Sequence, residues 1–114
     1  MKAGFKIYKD SINDSSSITG KTYLDYQGGK ARLRLLDGDN IPYFYLYSDF
    51  NYETELLWNP ETKQFEKPHS SVFWSKYSLS EEDFEFYMLD SLGNSYGCVS
   101  LEYWSDEEEK WIEL

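Results

Sequence analysis

The chain holds one histidine and one cysteine, so any nucleophile–base pair built on them must join His69 to Cys98. His69 stands in Lys67-Pro68-His69-Ser70-Ser71. Adjacent serines on an extended chain point to opposite sides, and no Gly-x-Ser-x-Gly elbow presents either of them. Cys98 follows Gly97 with no neighbouring cation to lower its pKa. The expectation is a surface-loop histidine, a buried apolar cysteine and no catalytic residue, hence a protein that is not an enzyme. One His and one Cys are too few for a zinc site of those ligands. Asp37-Gly38-Asp39-Asn40 offers three oxygen ligands but lacks the spacing and distal Glu of a calcium loop, and reads as a tight acidic turn. No glycine-rich phosphate loop precedes a helix, and nothing singles out a carboxylate pair for glycoside hydrolysis. No metal and no cofactor is expected.

The other chemistry-bearing groups are carboxylates, and their distribution is uneven. Residues 1–50 carry seven Lys/Arg and six Asp/Glu, whereas residues 51–114 carry four Lys and fifteen Asp/Glu. The formal net charge of −10 therefore belongs to the second half. Such a field repels phosphate and anionic lipid and attracts basic protein surfaces. The acids gather at Glu81, Glu82, Asp83 and Glu85, at Glu102 and Glu113, and in the run Asp106, Glu107, Glu108 and Glu109.

What must position these groups is one small domain. A chain of 114 residues spans a single unit with one core. Aromatic residues make up 19% of it, with eleven Tyr, which argues against disorder and for an amphipathic aromatic core. No apolar run reaches the ~18 residues of a membrane span. The first residues lack a signal peptide's apolar stretch, so the expected location is the cytoplasm.

Turn signals at Gly28-Gly29, 37–40, 59–62, Gly93-Asn94 and 105–109 separate short runs rich in Tyr, Phe, Ile and Leu. That spacing predicts an all-β antiparallel meander, closed as a small barrel or a two-sheet sandwich. Strands are expected near 3–8, 19–27, 30–37, 40–48, 53–58, 64–67, 71–77, 84–90, 96–104 and 110–114. Ser80-Glu81-Glu82-Asp83 resembles a helix start, which would set Phe84, Tyr87 and Met88 on one face. The alternation Phe84-Glu85-Phe86 favours a strand instead, with at most one helical turn near 80–84.

Two turns predict a register. A two-residue Gly28-Gly29 turn pairs Gln27 with Lys30, Leu24 with Leu33 and Tyr23 with Arg34. The turn at 37–40 sets Leu33 opposite Phe44, Ala31 opposite Leu46, Arg32 opposite Tyr45 and Arg34 opposite Tyr43. One face then holds Leu24, Tyr26, Ala31, Leu33, Leu35, Phe44 and Leu46 as core. The other holds Asp25 and Lys30 with a lattice of Tyr23, Arg32, Arg34, Tyr43, Tyr45 and Tyr47, a secondary candidate face for binding, since Tyr and Arg are enriched at binding hot spots. In the second half, Trp58 is expected opposite Phe65 and Trp104 opposite Trp111, each pair closing a polar loop. The latter pairing puts Glu102 opposite Glu113, a like-charge pair that calls for solvation or a cationic partner.

The partner-binding surface is accordingly expected at Glu102, Trp104, Asp106, Glu107, Glu108, Glu109, Trp111 and Glu113. The expected partner is a basic protein surface, a nuclease or another nucleic-acid-binding protein, with no direct nucleic acid and no membrane. A homodimer through the Tyr/Arg face or a β edge is compatible with the pattern. In size, charge and lack of catalytic groups the chain resembles small acidic inhibitors of phages and mobile elements, anti-CRISPR and antirestriction proteins among them. That resemblance implies a nucleic-acid mimic. A toxin-immunity protein uses the same physics, and a sugar- or small-ligand-binding β domain is the reading from a different class.

Overall fold

The computed structural model of the chain describes residues 4–12, 20–68 and 80–114. His69 and the strand expected over 71–77 lie outside the described residues. Within them the elements run β1 (Phe5–Asp10), β2 (Thr22–Tyr23), β3 (Ala31–Leu36), β4 (Pro42–Ser48), β5 (Phe50–Asn51), β6 (Leu56–Asn59), β7 (Gln64–Glu66), α1 (Glu81–Glu85), a π-helical segment Leu89–Gly93, β8 (Ser100–Ser105) and β9 (Lys110–Glu113). The architecture is all-β in two sheets. One is six-stranded in the order β2-β1-β4-β3-β8-β9, and the other is three-stranded in the order β5-β6-β7. Every pairing is antiparallel.

The β3–β4 register differs from expectation by two residues. Leu33 meets Leu46, Arg32 meets Tyr47 and Arg34 meets Tyr45. Two one-residue irregularities add up to this shift. The loop is closed by the Asp37 N–H bonding to the Ile41 carbonyl at 3.1 Å, with Asn40 left-handed at φ 62°. A bulge between Leu35 and Leu36 supplies the second residue. Because side chains alternate with period two, a shift of two keeps the residues paired beyond the bulge on their expected faces. Leu33, Leu35, Phe44 and Leu46 are buried, while Arg32, Arg34, Tyr45 and Tyr47 are half-buried on the other side.

The hairpin expected across Gly28-Gly29 does not form. Thr22 and Tyr23 pair with Lys6 and Phe5 of β1, and the chain then leaves the sheet through Leu24 and Asp25, both left-handed. The segment folds over Asp49, whose carboxylate accepts the Gln27 and Gly29 N–H groups at 2.7 Å each. Burial pushes the Asp49 carboxyl up, and the Gly29 and Gln27 N–H bonds pull it back. Gly29 is required for this approach, since a Cβ there would lie 2.6 Å from the Asp49 Cα. A buried carboxylate demands donors, and the glycine-rich segment supplies them instead of turning a hairpin.

The segment 81–95 is helical with one break at Phe86, not the strand expected over 84–90. Phe84, Met88 and Leu92 recur every fourth residue, and all three are buried. That spacing is a helix's apolar stripe, and the alternation around Phe84 is subordinate to it. Ser80 caps the start, its hydroxyl accepting the Asp83 N–H at 3.1 Å. Phe84 lies 5.4 Å from Phe5 of the large sheet and 6.0 Å from Phe50 of the small one, so the helix seals the core between them. Gly93 lets it approach β3 closely, because a Cβ there would stand 3.1 Å from Cys98 and 3.5 Å from Leu35. The helix and the small sheet share the core with one face of the large sheet, and among the described residues no element packs on the opposite face, here called the open face.

Candidate functional site

On the open face, the register aligns side chains in two rows that cross the sheet. The first runs Lys6, Tyr47, Arg32, Trp104 and Trp111. The second runs Lys9, Tyr45, Arg34, Glu102 and Glu113. Tyr8 lies on this face by alternation with Lys6, stacked 4.3 Å from Tyr47 and 6.0 Å from Tyr45, and a bulge between Ile7 and Lys9 adds Lys9. The rings and cations form a continuous layer. Lys9 lies 5.2 Å over Tyr45, and Tyr45 meets Trp111 edge-on at 6.0 Å. Trp111 packs against Trp104 at 5.5 Å, and the Arg32 and Arg34 guanidinium groups sit 4.7 Å and 4.5 Å over Trp104 and Trp111. Arginine over indole is a favourable cation–π arrangement, stronger where the pair is partly desolvated.

The pairing of Glu102 with Glu113 is as expected, yet the like charges are not left to solvent alone. Arg34 binds Glu102 through Nε and Nη2, each 2.6 Å from Oε1. Glu102 is thus engaged within its own chain, while Glu113 remains exposed. The two surfaces expected separately, the acidic tryptophan hairpin and the Tyr/Arg lattice, are halves of one face. Two lattice members lie elsewhere. Tyr23 pairs with Phe5 and packs on the core side, because β2 joins β1 rather than β3. Tyr43 falls at the bulge, packs against the core and hydrogen-bonds Asp37, whose carboxylate pushes the phenol's pKa up. Lys6, Tyr8 and Lys9 join the face unforeseen. The alternation Phe5-Lys6-Ile7-Tyr8 carried the signal for Lys6 and Tyr8, but only the bulge brings Lys9 along.

Beyond β8 and β9 the acidic run forms a tight turn held from outside. Ser105, itself buried, hydrogen-bonds the Glu53 carboxylate and accepts the Glu108 N–H at 3.0 Å. Glu53 also accepts the Asp106 and Glu107 N–H groups at 3.1 Å and 3.3 Å. The Ser105 hydroxyl, with those two N–H groups, holds the Glu53 carboxyl below its ordinary value. The Trp104 indole N–H donates to Asp106 at 3.0 Å, and Arg32 reaches Asp106 at 4.0 Å. Glu107, Glu108 and Glu109 are exposed. Glu53 is 52 residues from Ser105, and nothing local in the sequence marks it as the clamp.

Where this hairpin nears the small sheet there is a cavity of about 200 Å³, lined among others by Arg32, Asn51, Tyr52, Phe65 and Trp104. Cys98 is buried, and burial pushes its thiol up to about 11, with Asp37 adding to the effect. A thiol so placed is a poor nucleophile at neutral pH. The 37–40 segment is a turn in which Asp37 accepts the Asp39 and Ile41 N–H groups, each at 2.9 Å. Among the described residues no group of three or more His, Cys, Asp or Glu side chains is placed to hold a metal ion, and no helix is long and apolar enough to cross a membrane.

The fold and this face define a class: a two-sheet β protein with an aromatic and charged sheet face and an acidic hairpin at its end. Comparison with protein-family models, curated proteins and solved structures finds no match to this chain.

Proposed function

We propose that this chain is a non-catalytic binding protein whose β8–β9 hairpin docks on a basic surface of another protein and takes the place of nucleic acid there. The observation that carries the reading is the clamped acidic turn. Glu53, Ser105 and Trp104 fix Asp106, Glu107 and Glu108 at the edge of a tryptophan pair. A turn whose backbone is already ordered loses little conformational entropy on binding. Its carboxylates stand in for phosphates, and Trp104 and Trp111 supply the aromatic anchors that charge alone lacks. An inhibitor of a phage or mobile element, of the anti-CRISPR or antirestriction kind, works this way. A toxin-immunity protein works the same way, and gene neighbourhood separates the two.

The test is association with a basic nucleic-acid-binding protein captured at low salt. The expected result is a complex that weakens steeply as salt rises and that excludes nucleic acid. Reversing Glu107, Glu108 and Glu109 to Lys together should leave the fold intact and slow association by about tenfold or more. Unchanged affinity in the triple variant removes the tip from the site.

The cavity beside Arg32 and Trp104 favours a second reading, a small-ligand site. At about 200 Å³ it is smaller than the usual ~300–1,000 Å³ ligand pocket, so it suits only a small molecule such as a monosaccharide. Stacking of a neutral sugar on Trp104 should be almost indifferent to salt, which distinguishes it from docking on a basic protein.

A further inference from the structure

The open face is electrically lopsided in a way that matches a copy of itself. Lys6 and Lys9 stand on β1 and Arg32 and Arg34 on β3, whereas Glu102 and Glu113 stand on β8 and β9. Five strands, β1 to β9 in the order β1-β4-β3-β8-β9, make this face. At about 4.8 Å per strand it is roughly 19 Å wide. A twofold interface uses one patch on both subunits, so the patch must complement itself.

We infer that two copies of this chain pack open face to open face about a twofold axis parallel to β3. That axis reverses the strand order across the interface but preserves position along the strands. Lys9 of one copy is then opposite Glu113 of the other, and this contact occurs twice. In the first row, the register places Lys6 opposite Trp111 and Tyr47 opposite Trp104. The two Arg34 and the two Arg32 side chains meet near the axis; each Arg34 is already bound by its own Glu102 and lies against Trp111, and each Arg32 lies against Trp104 and reaches Asp106 at 4.0 Å. An axis across the strands would instead set β1 on β1 and β9 on β9, like charge on like. The layer of Tyr8, Tyr45, Tyr47, Trp104 and Trp111 provides the rings that interface centres favour. Two sheets so paired pack about 10 Å apart in the aligned manner of sandwiches. Both acidic turns then lie at the same end of the pair, free of the interface. Trp104 and Trp111 would serve both this dimer and the partner reading, but the charges separate the two: Lys9 and Glu113 belong to the dimer, and Glu107, Glu108 and Glu109 to the partner contact.

Sedimentation equilibrium tests it. The expected result is a dimer of the whole chain at about physiological ionic strength, where the −10 charges of the two copies are largely screened. Lys9→Glu alone and Glu113→Lys alone should each give monomer at concentrations where the unaltered chain is dimeric. Mixing the two variants should restore a dimer, because both contacts are then complementary. The double variant Lys9→Glu/Glu113→Lys should dimerise by itself for the same reason. Reversal of Glu107, Glu108 and Glu109 should leave the dimer in place. A chain that stays monomeric up to millimolar concentration overturns the inference. So do single reversals that remain dimeric, and so do variants whose mixture stays monomeric.

Discussion

Two hairpins in this molecule share one plan and carry different loads. In β6–β7, Trp58 opposes Phe65 at 5.2 Å and 68°, and in β8–β9, Trp104 opposes Trp111 at 5.5 Å and 71°. Lys63 and Glu109, at equivalent places in the two turns, are both left-handed, with φ 55° and 53°. The residue after each first tryptophan ties its turn: Asn59 accepts the Glu61 N–H, and Ser105 accepts the Glu108 N–H. They part in how the turn is finished. The β6–β7 turn is self-contained, with Glu66 accepting from Asn59 and Thr62 within the hairpin. The β8–β9 turn has four consecutive acids and imports its clamp, Glu53, from outside. The Asp106 and Glu107 N–H groups donate to this imported carboxylate, which adds one more negative charge beside four acids. The difference teaches that the acidic turn is a built feature rather than a stray composition bias.

The largest effects should come from beneath the hairpins and should be alike. Leu33 underlies β8, Leu57 lies within β6, and both are buried. Leu33→Ala and Leu57→Ala should each cost about 2–5 kcal/mol, read by urea unfolding. A loss under about 1 kcal/mol at Leu33 would mean that β8–β9 does not rest on this core. A smaller, unequal effect is expected one layer out. Trp104 has a cross-strand ring and an arginine stacked on it, while Trp58 has the cross-strand ring. With an aromatic pair worth about 0.5–1.5 kcal/mol and an exposed cation–π contact about 0.5–1 kcal/mol, Trp104→Ala should be the more damaging of the two by roughly the latter amount. Equal losses would show that Arg32 adds nothing to the hairpin.

The hairpins also mark how far the sequence could be read. Both aromatic pairs, and Glu102 opposite Glu113, follow from local spacing around a turn and are where the spacing puts them. The faces of β3 and β4 were legible for a similar reason, since the Leu/Arg alternation resists any odd shift, although an even one passes unseen. The Gly28-Gly29 segment misleads because its partner is a buried carboxylate twenty residues away, and a long-range donor requirement leaves no periodic trace. Phe84, Met88 and Leu92 did leave one, with Leu92 as the decisive third member of the stripe. Of the candidate face, the tryptophan hairpin and Arg32, Arg34, Tyr45 and Tyr47 were legible from alternation. Tyr23 and Tyr43 were misplaced by a strand pairing and by a bulge, and Glu53 gave no local sign at all.

The subtlest difference between the hairpins is in their response to acid. Glu53 has its carboxyl held below the ordinary glutamate value, first by the Ser105 hydroxyl and then by the Asp106 and Glu107 N–H groups. A depressed carboxyl stabilises the folded form above its unfolded pKa, and that contribution is lost as pH falls through the folded value. The β8–β9 clamp should therefore persist through mild acid and release only below the normal titration range of glutamate. Glu66 is depressed as well, chiefly by Asn59, but its release would free side-chain donors that solvent can satisfy. Loss of Glu53 instead strips backbone N–H groups from their acceptor. Amide chemical shifts of Asp106 and Glu107, followed from neutral pH downward, should show a step at a pH below that of an unperturbed glutamate. Glu53→Gln should remove this step. The Glu61 amide, bonded to the uncharged Asn59 side chain, should show no comparable step. If the two turns respond alike, or if Glu53→Gln leaves the step unchanged, the imported carboxylate is not what holds the acidic turn.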